Sequence, residues 1–125
     1  AIADKRREKA GESEVMNIIG DVKNKTCIIV DDIIDSGGTI INAVDALKKS
    51  GANEVYVFIT HAVLSKDASD KIRKSKIKKL IITDTIDNSQ KTKNNSKIEV
   101  LSVSSLMAEA IKRISNSTSV SDLFN

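Results

Sequence analysis

The chain has 125 residues, 40% of them apolar, with a net charge of +3; this is enough for one domain with a real core, and the mild basic excess identifies no partner by itself. Its only aromatics are Tyr56, Phe58 and Phe124, so the core is aliphatic, which suits β-branched strands covered by helices. The single Cys27 excludes an internal disulfide and fits a reducing compartment, no apolar run approaches the roughly 20 residues that span a membrane, and no secretory signal is present, so the chain reads as cytoplasmic.

The opening Ala1-Ile2-Ala3-Asp4 reads as the end of a strand already in progress, with the N-terminal part of a longer protein missing before it. Residues 5–13 are charged and nearly free of apolar side chains, which predicts a mobile segment. Val15–Ile19 and Thr26–Asp31 read as strands joined by a polar turn. Ile33–Gly38 reads as a loop. Thr39 starts a helix with Ile40, Ala43, Val44 and Leu47 at helical spacing; Lys48 and Lys49 lie in its last turn and Gly51 just beyond.

Glu54–Thr60 is the next predicted strand. Ser65–Ser75 is a predicted helix with Ser65 as its cap. Lys79–Thr83 and Ile98–Val103 read as strands, and Ser104 or Ser105 caps a helix to about Asn116 with Leu106, Ala110, Ile111 and Ile114 on one face. Residues 87–97 contain no apolar residue and read as a solvated loop, an insert in the pattern; the tail from Ser117 has no period. Strands alternating with helices predict an α/β fold with a mostly parallel sheet flanked by helices.

The segment Cys27 to Thr39, CIIVDDIIDSGGT, carries the chemistry. An apolar strand ends in the adjacent carboxylates Asp31 and Asp32, where parallel sheets bind ligands. Carboxylates only accept hydrogen bonds, so an adjacent pair suits vicinal hydroxyls. Asp35, Ser36, Gly37, Gly38 and Thr39 follow and run into a helix start. Glycines let backbone N–H groups approach an anion, and the helix N-terminus adds donors and partial positive charge. The pattern is that of a sugar-phosphate cradle, with hydroxyls on the acids and phosphate on the loop.

These residues resemble the phosphoribosyl pyrophosphate (PRPP) motif of the type I phosphoribosyltransferase fold. The resemblance extends to the ribose-phosphate pyrophosphokinases through Asp4-Lys5-Arg6-Arg7, GESEVMNIIGDV, ITHAVLS at 59–65, TDTI at 83–86, VLSVSSLMAEAIKRI at 100–114 and SVSDLF at 119–124. It implies transfer of pyrophosphate from MgATP to the 1-hydroxyl of ribose 5-phosphate, giving PRPP and AMP. Lys5 and Arg7 then correspond to catalytic cations on a flexible loop spanning 1–13. Asp31 and Asp32 hold the ribose hydroxyls, and Asp35 to Thr39 the 5-phosphate. Ser119, Ser121 and Phe124 match positions that line a site for phosphate and ADP between subunits of a hexamer-type homo-oligomer. The metal is Mg²⁺, held largely by substrate phosphates, with no metal ligand assigned within this chain. The adenine and triphosphate sites fall outside it, so the chain alone is expected to be inactive.

Other readings are a base-transferring phosphoribosyltransferase, a noncatalytic regulatory relative, and a phospho-accepting receiver domain. The last needs a lone Asp after a later strand, where Val55–His61 ends in Thr-His instead. His61, the one histidine, reads as a structural residue near the strand ends. The Lys-rich run at 71–79 lacks interleaved aromatics and reads as a solvated face, not a nucleic-acid surface.

Overall fold

A computed structural model of the chain describes residues 2–6 and 15–125. Two short strands come first, β1 (Ile2–Arg6) and β2 (Val15–Ile19), paired antiparallel with Ile2 opposite Ile19 and Arg6 opposite Val15. They are followed by β3 (Thr26–Ile34), α1 (Gly38–Lys49), β4 (Glu54–Ala62), α2 (Ala68–Lys74), β5 (Lys79–Thr83), α3 (Ser89–Thr92), β6 (Ile98–Leu101) and α4 (Ser104–Ser115), and a short 3-10 turn at Ser121–Phe124. Strands β3, β4, β5 and β6 lie in that order in a second sheet, each pair parallel. The expected α/β architecture is therefore present.

One face of the parallel sheet is packed. Val55, Val57 and Ile59 of β4 and Leu80 and Ile82 of β5 are buried together with Ile40, Val44 and Leu47 of α1 and Ala68 and Ile72 of α2. Tyr56 and Phe58, between those β4 positions, are not buried, which is the period-two alternation of a sheet covered by helices on one side. Burying a Val, Leu or Ile side chain contributes roughly 1.5–3 kcal/mol, so this layer holds the domain together.

The other face is open. Ile28, Val30, Phe58 and Leu101 are exposed on it, Val30 to 76% of its surface. Helix α4 buries no residue at all, and Leu106, Ile111 and Ile114 of the apolar face expected for it are exposed. Its periodicity is that of a packed helix, but among the described residues no element covers this stripe. Apolar exposure on this scale marks a contact surface.

Several expected boundaries move. β2 pairs with β1 and not with β3. β3 continues through Ile33 and Ile34, where a loop was expected, because β4 extends alongside it to His61 and Ala62. The helix expected from Ser65 starts at Ala68 after Asp67; Leu64 and Lys66 have positive φ, which breaks any earlier helical turn.

The polar insert at 87–97, exposed at most of its positions, also carries regular structure and buried polar residues. It contains α3, and Asn88 and Asn95 are buried in it. Asn88 Nδ2 donates to Ala62 O at 2.6 Å, Asn95 Nδ2 to Ser69 O at 2.7 Å, Lys91 Nζ to Val63 O at 2.6 Å, and Ser69 Oγ to Lys91 O at 2.7 Å. Polar side chains hold this segment to α2 and the end of β4 by bonding backbone carbonyls, which apolar periodicity cannot reveal.

Candidate functional site

The strand order places the carboxyl ends of β3, β4, β5 and β6 along one edge, and the acidic pair sits there. Asp31 lies opposite Ile59 and Ile33 opposite His61 in the β3–β4 ladder. Both acids are exposed, and Asp31 Oδ1 accepts the backbone N–H of Asp32 at 2.9 Å. Asp31, Ile33, Ile34, Asp35, Ser36, Gly37, Gly38, Thr39 and Ile40 line a cavity of about 250 Å³. Asp32 lies outside that lining.

The loop makes a sharp turn because Gly37 has φ +80°, a left-handed conformation that costs a residue with a Cβ roughly 1–2 kcal/mol. Gly37 is also the residue that caps α1, and no side chain hydrogen-bonds the helix start. No acidic residue lies in the first turn, while Lys48 and Lys49 occupy the last. The first intrahelical bond runs from Ile41 N–H to Gly37 O at 3.0 Å. The amides before it are those a helix leaves unpaired, and they open onto the cavity with the positive end of the helix dipole. Uncapped donors, the Ser36 and Thr39 hydroxyls and the Asp31 carboxylate thus share one cavity, an arrangement able to hold an anion and a hydroxyl-bearing group side by side.

Along the same edge, three threonines and a histidine form a network. Thr83 Oγ1 donates to Thr60 O at 2.6 Å, Thr85 Oγ1 donates to the same carbonyl at 3.1 Å, and His61 Nδ1 lies 2.9 Å from Thr85 Oγ1. Asp84, between the threonines, accepts the backbone N–H of Val103 at 2.8 Å. Hydrogen bonds from Ser102 and from that amide hold its carboxyl below the usual carboxylate range. In the sequence TDTI stands out through the resemblance alone, and a short polar run after an apolar strand is its one physical signal.

The remaining predicted residues fall elsewhere. The backbone of Lys5 lies in β1 opposite Met16, so Ile2–Arg6 of the expected 1–13 loop is strand. Arg7 lies outside the described residues. Ser119 Oγ and Ser121 Oγ are 2.9 Å apart, Ser119 Oγ donates to Asp122 Oδ1 at 3.1 Å, and Arg113 Nη1 donates to Ser119 O at 2.9 Å. Phe124 is exposed. Among the described residues, no group of three or more His, Cys, Asp or Glu side chains is arranged to hold a metal. Among the described residues no helix is long and apolar enough to cross a membrane.

Fold and site together define a parallel α/β domain with an anion-competent turn at the carboxyl edge of its sheet. The family model described as the phosphoribosyl synthetase-associated domain matches residues 5–125, and the chain belongs to that family. It is 51% identical over 125 residues to a ribose-phosphate pyrophosphokinase of Maricaulis maris and 54% identical to one of Bradyrhizobium diazoefficiens, covering all of this chain and 40% and 39% of theirs. The crystal structure of phosphoribosylpyrophosphate synthetase from Mycobacterium smegmatis is similar with a TM-score of 0.79 at 35% identity, over 92% of this chain and 37% of that one. The chain thus spans about 40% of the length of the curated relatives it matches.

Proposed function

We propose that this chain supplies the ribose 5-phosphate half of a ribose-phosphate diphosphokinase, which transfers pyrophosphate from ATP to the 1-hydroxyl of ribose 5-phosphate and releases AMP. The observation that carries the reading is the single cavity that joins Asp31 to the uncapped start of α1. A 5-phosphate on the turn at 35–39 leaves the ribose hydroxyls for Asp31 and Asp32. The relatives matched over the whole chain are named for this reaction.

Mg²⁺ fits as an ion that arrives on the phosphates of ATP. Exposed carboxylate oxygens at the sheet edge are donors it accepts, yet the described residues build no cage for it. Its chemistry would be to neutralise charge on the transferred group. Lys5 and Arg7 would add cationic donors to that charge, Arg as a planar fork and Lys as a point charge. The open apolar sheet face and α4 support packing against a further protein surface; in our reading this is a homo-oligomeric assembly in the cytoplasm, where Ser119, Ser121 and Phe124 would line an effector site for phosphate or ADP.

The test is calorimetric binding of ribose 5-phosphate to the complete natural protein, alongside PRPP formation. Replacing Asp31 and Asp32 with Asn keeps shape but removes charge from hydroxyl hydrogen bonds worth roughly 1.5–3 kcal/mol each. Binding should weaken at least tenfold. Unchanged affinity and turnover in the double variant would remove the assignment.

A further inference from the structure

The cradle turn is held from outside by the loop that follows β4. Val63 N–H and Leu64 N–H both donate to Ile34 O, at 2.9 and 3.4 Å, and Ser65 N–H donates to Asp35 O at 3.2 Å. Ile34 and Asp35 line the cavity shared by Asp31 and the start of α1. These three amides therefore fix the backbone carbonyls directly before Ser36 and Gly37, where the chain turns into the helix.

That loop is itself strained. Leu64 and Lys66 have φ of 49° and 52°, in the left-handed region that an L side chain enters at a cost and keeps only where its surroundings impose it. Two side chains from 87–97 grip the loop just before these residues. Asn88 Nδ2, buried, donates to Ala62 O at 2.6 Å, and Lys91 Nζ donates to Val63 O at 2.6 Å. Lys91 is anchored in turn, because its own carbonyl accepts the Ser69 hydroxyl at 2.7 Å. A series of hydrogen bonds thus runs from Asn88 and Lys91, through residues 62–65, to the carbonyls of Ile34 and Asp35. The Lys91 link has an ionised donor, the stronger kind. Lys91 is exposed and outside the apolar core, so removing its charge need not unfold the domain.

We infer that Lys91, with Asn88 beside it, is a positioning residue for the sugar-phosphate site: it holds the 62–65 loop in the conformation that aims the turn at 35–39. Neither residue lines the cavity; both act through the backbone between. A turn that must meet a phosphate with several N–H groups at once tolerates displacements of only about 0.5 Å, so a slackened loop shows as lost affinity. This rests on the ribose 5-phosphate reading and adds a supporting layer of residues to it.

Lys91→Met removes the ammonium and keeps the length of the side chain, and Lys91→Arg restores a charged donor. Ribose 5-phosphate affinity is measured by calorimetry in the complete natural protein for these two, Asn88→Ala and Asp31→Asn, with steady-state kinetics for both substrates and thermal melting as a check on folding. We expect Lys91→Met to bind ribose 5-phosphate about fivefold more weakly, the worth of one hydrogen bond, with kcat and the KM for ATP near the parent's. Lys91→Arg should recover affinity to within about twofold. Amide exchange at Ser65 should quicken in Lys91→Met and slow again in Lys91→Arg. Asn88→Ala should act in the same direction; if loss of that buried side chain unfolds the protein, the Lys91 pair decides. Parental affinity in Lys91→Met overturns the inference. So does an equal loss for both substrates, or no recovery with arginine, either of which makes Lys91 a support of the fold only. If Asp31→Asn loses binding while Lys91→Met does not, this inference fails alone. If the parent binds no ribose 5-phosphate, the cradle reading falls and takes this inference with it.

Discussion

Asp84 reaches from the end of β5 to accept the backbone N–H of Val103, the residue that caps the start of α4, at 2.8 Å. No residue of α4 is buried, so this carboxylate is a main tie between the helix start and the sheet. Ser102 hydrogen-bonds the carboxyl as well, and its hydroxyl also reaches Ser104 Oγ at 2.9 Å.

The lowered pKa of Asp84 sets a direction for acid sensitivity. The fold favours the charged form, so the stabilisation is complete above the ordinary carboxylate value of about 4 and is lost as pH falls through the lower, folded value. Amide protection factors at Val103 and Ser104 should hold down to that range and then drop. Asp84→Ala should lower them at neutral pH and abolish the acid step. Equal protection in variant and parent would show that the tie carries no stability.

The two glycines of the turn should respond differently to a methyl group. A Cβ on Gly37 would sit 3.8 Å from the side chains of Ile34 and Ile41, which is ordinary contact, but its φ of +80° strains any L side chain. Gly37→Ala should therefore cost about 1–2 kcal/mol in denaturant unfolding. A Cβ on Gly38 would meet no atom within 4 Å, so Gly38→Ala should leave stability unchanged within about 0.5 kcal/mol. That methyl would stand where the proposed phosphate approaches the helix start. Affinity for ribose 5-phosphate should drop at least tenfold although the fold is intact, and unchanged affinity would move the phosphate off this turn.

Lys5 and Arg7 should show their roles in kcat. If they meet charge that develops on the transferred group, Lys5→Ala and Arg7→Ala should each lower kcat by about 10²–10³-fold, equivalent to roughly 3–4 kcal/mol, with much smaller changes in KM for ribose 5-phosphate. Steady-state kinetics in the complete protein decide this. A raised KM with kcat preserved would make them ground-state binding residues.

The serine pair of the tail predicts a separable effect. Ser119 and Ser121 hydroxyls lie 2.9 Å apart in the turn that also carries exposed Phe124. Ser121→Ala should weaken activation by phosphate or inhibition by ADP several-fold while basal turnover stays near the parent's. Superimposable effector curves would remove the regulatory role.

The sequence by itself determined the strand–turn–helix segment at 27–39 and the core beneath it. CIIVDDIIDSGGT is contiguous, so an apolar strand, two acids, a glycine turn and a helix start follow from local chemistry alone. Ile40, Val44 and Leu47 announce the packed face of α1 through their spacing, and the structure buries them. Tertiary structure decided what depends on residues distant in the chain. The pairing of β2 with β1, the hydrogen bond between His61 Nδ1 and Thr85 Oγ1 across 24 residues, and the anchoring of Asn88 on Ala62 O are such cases. So is the exposure of α4, whose stripe of Leu106, Ile111 and Ile114 has the period of a core helix. Periodicity reports which face of a helix is apolar; only the assembled fold shows whether another surface is there to cover it.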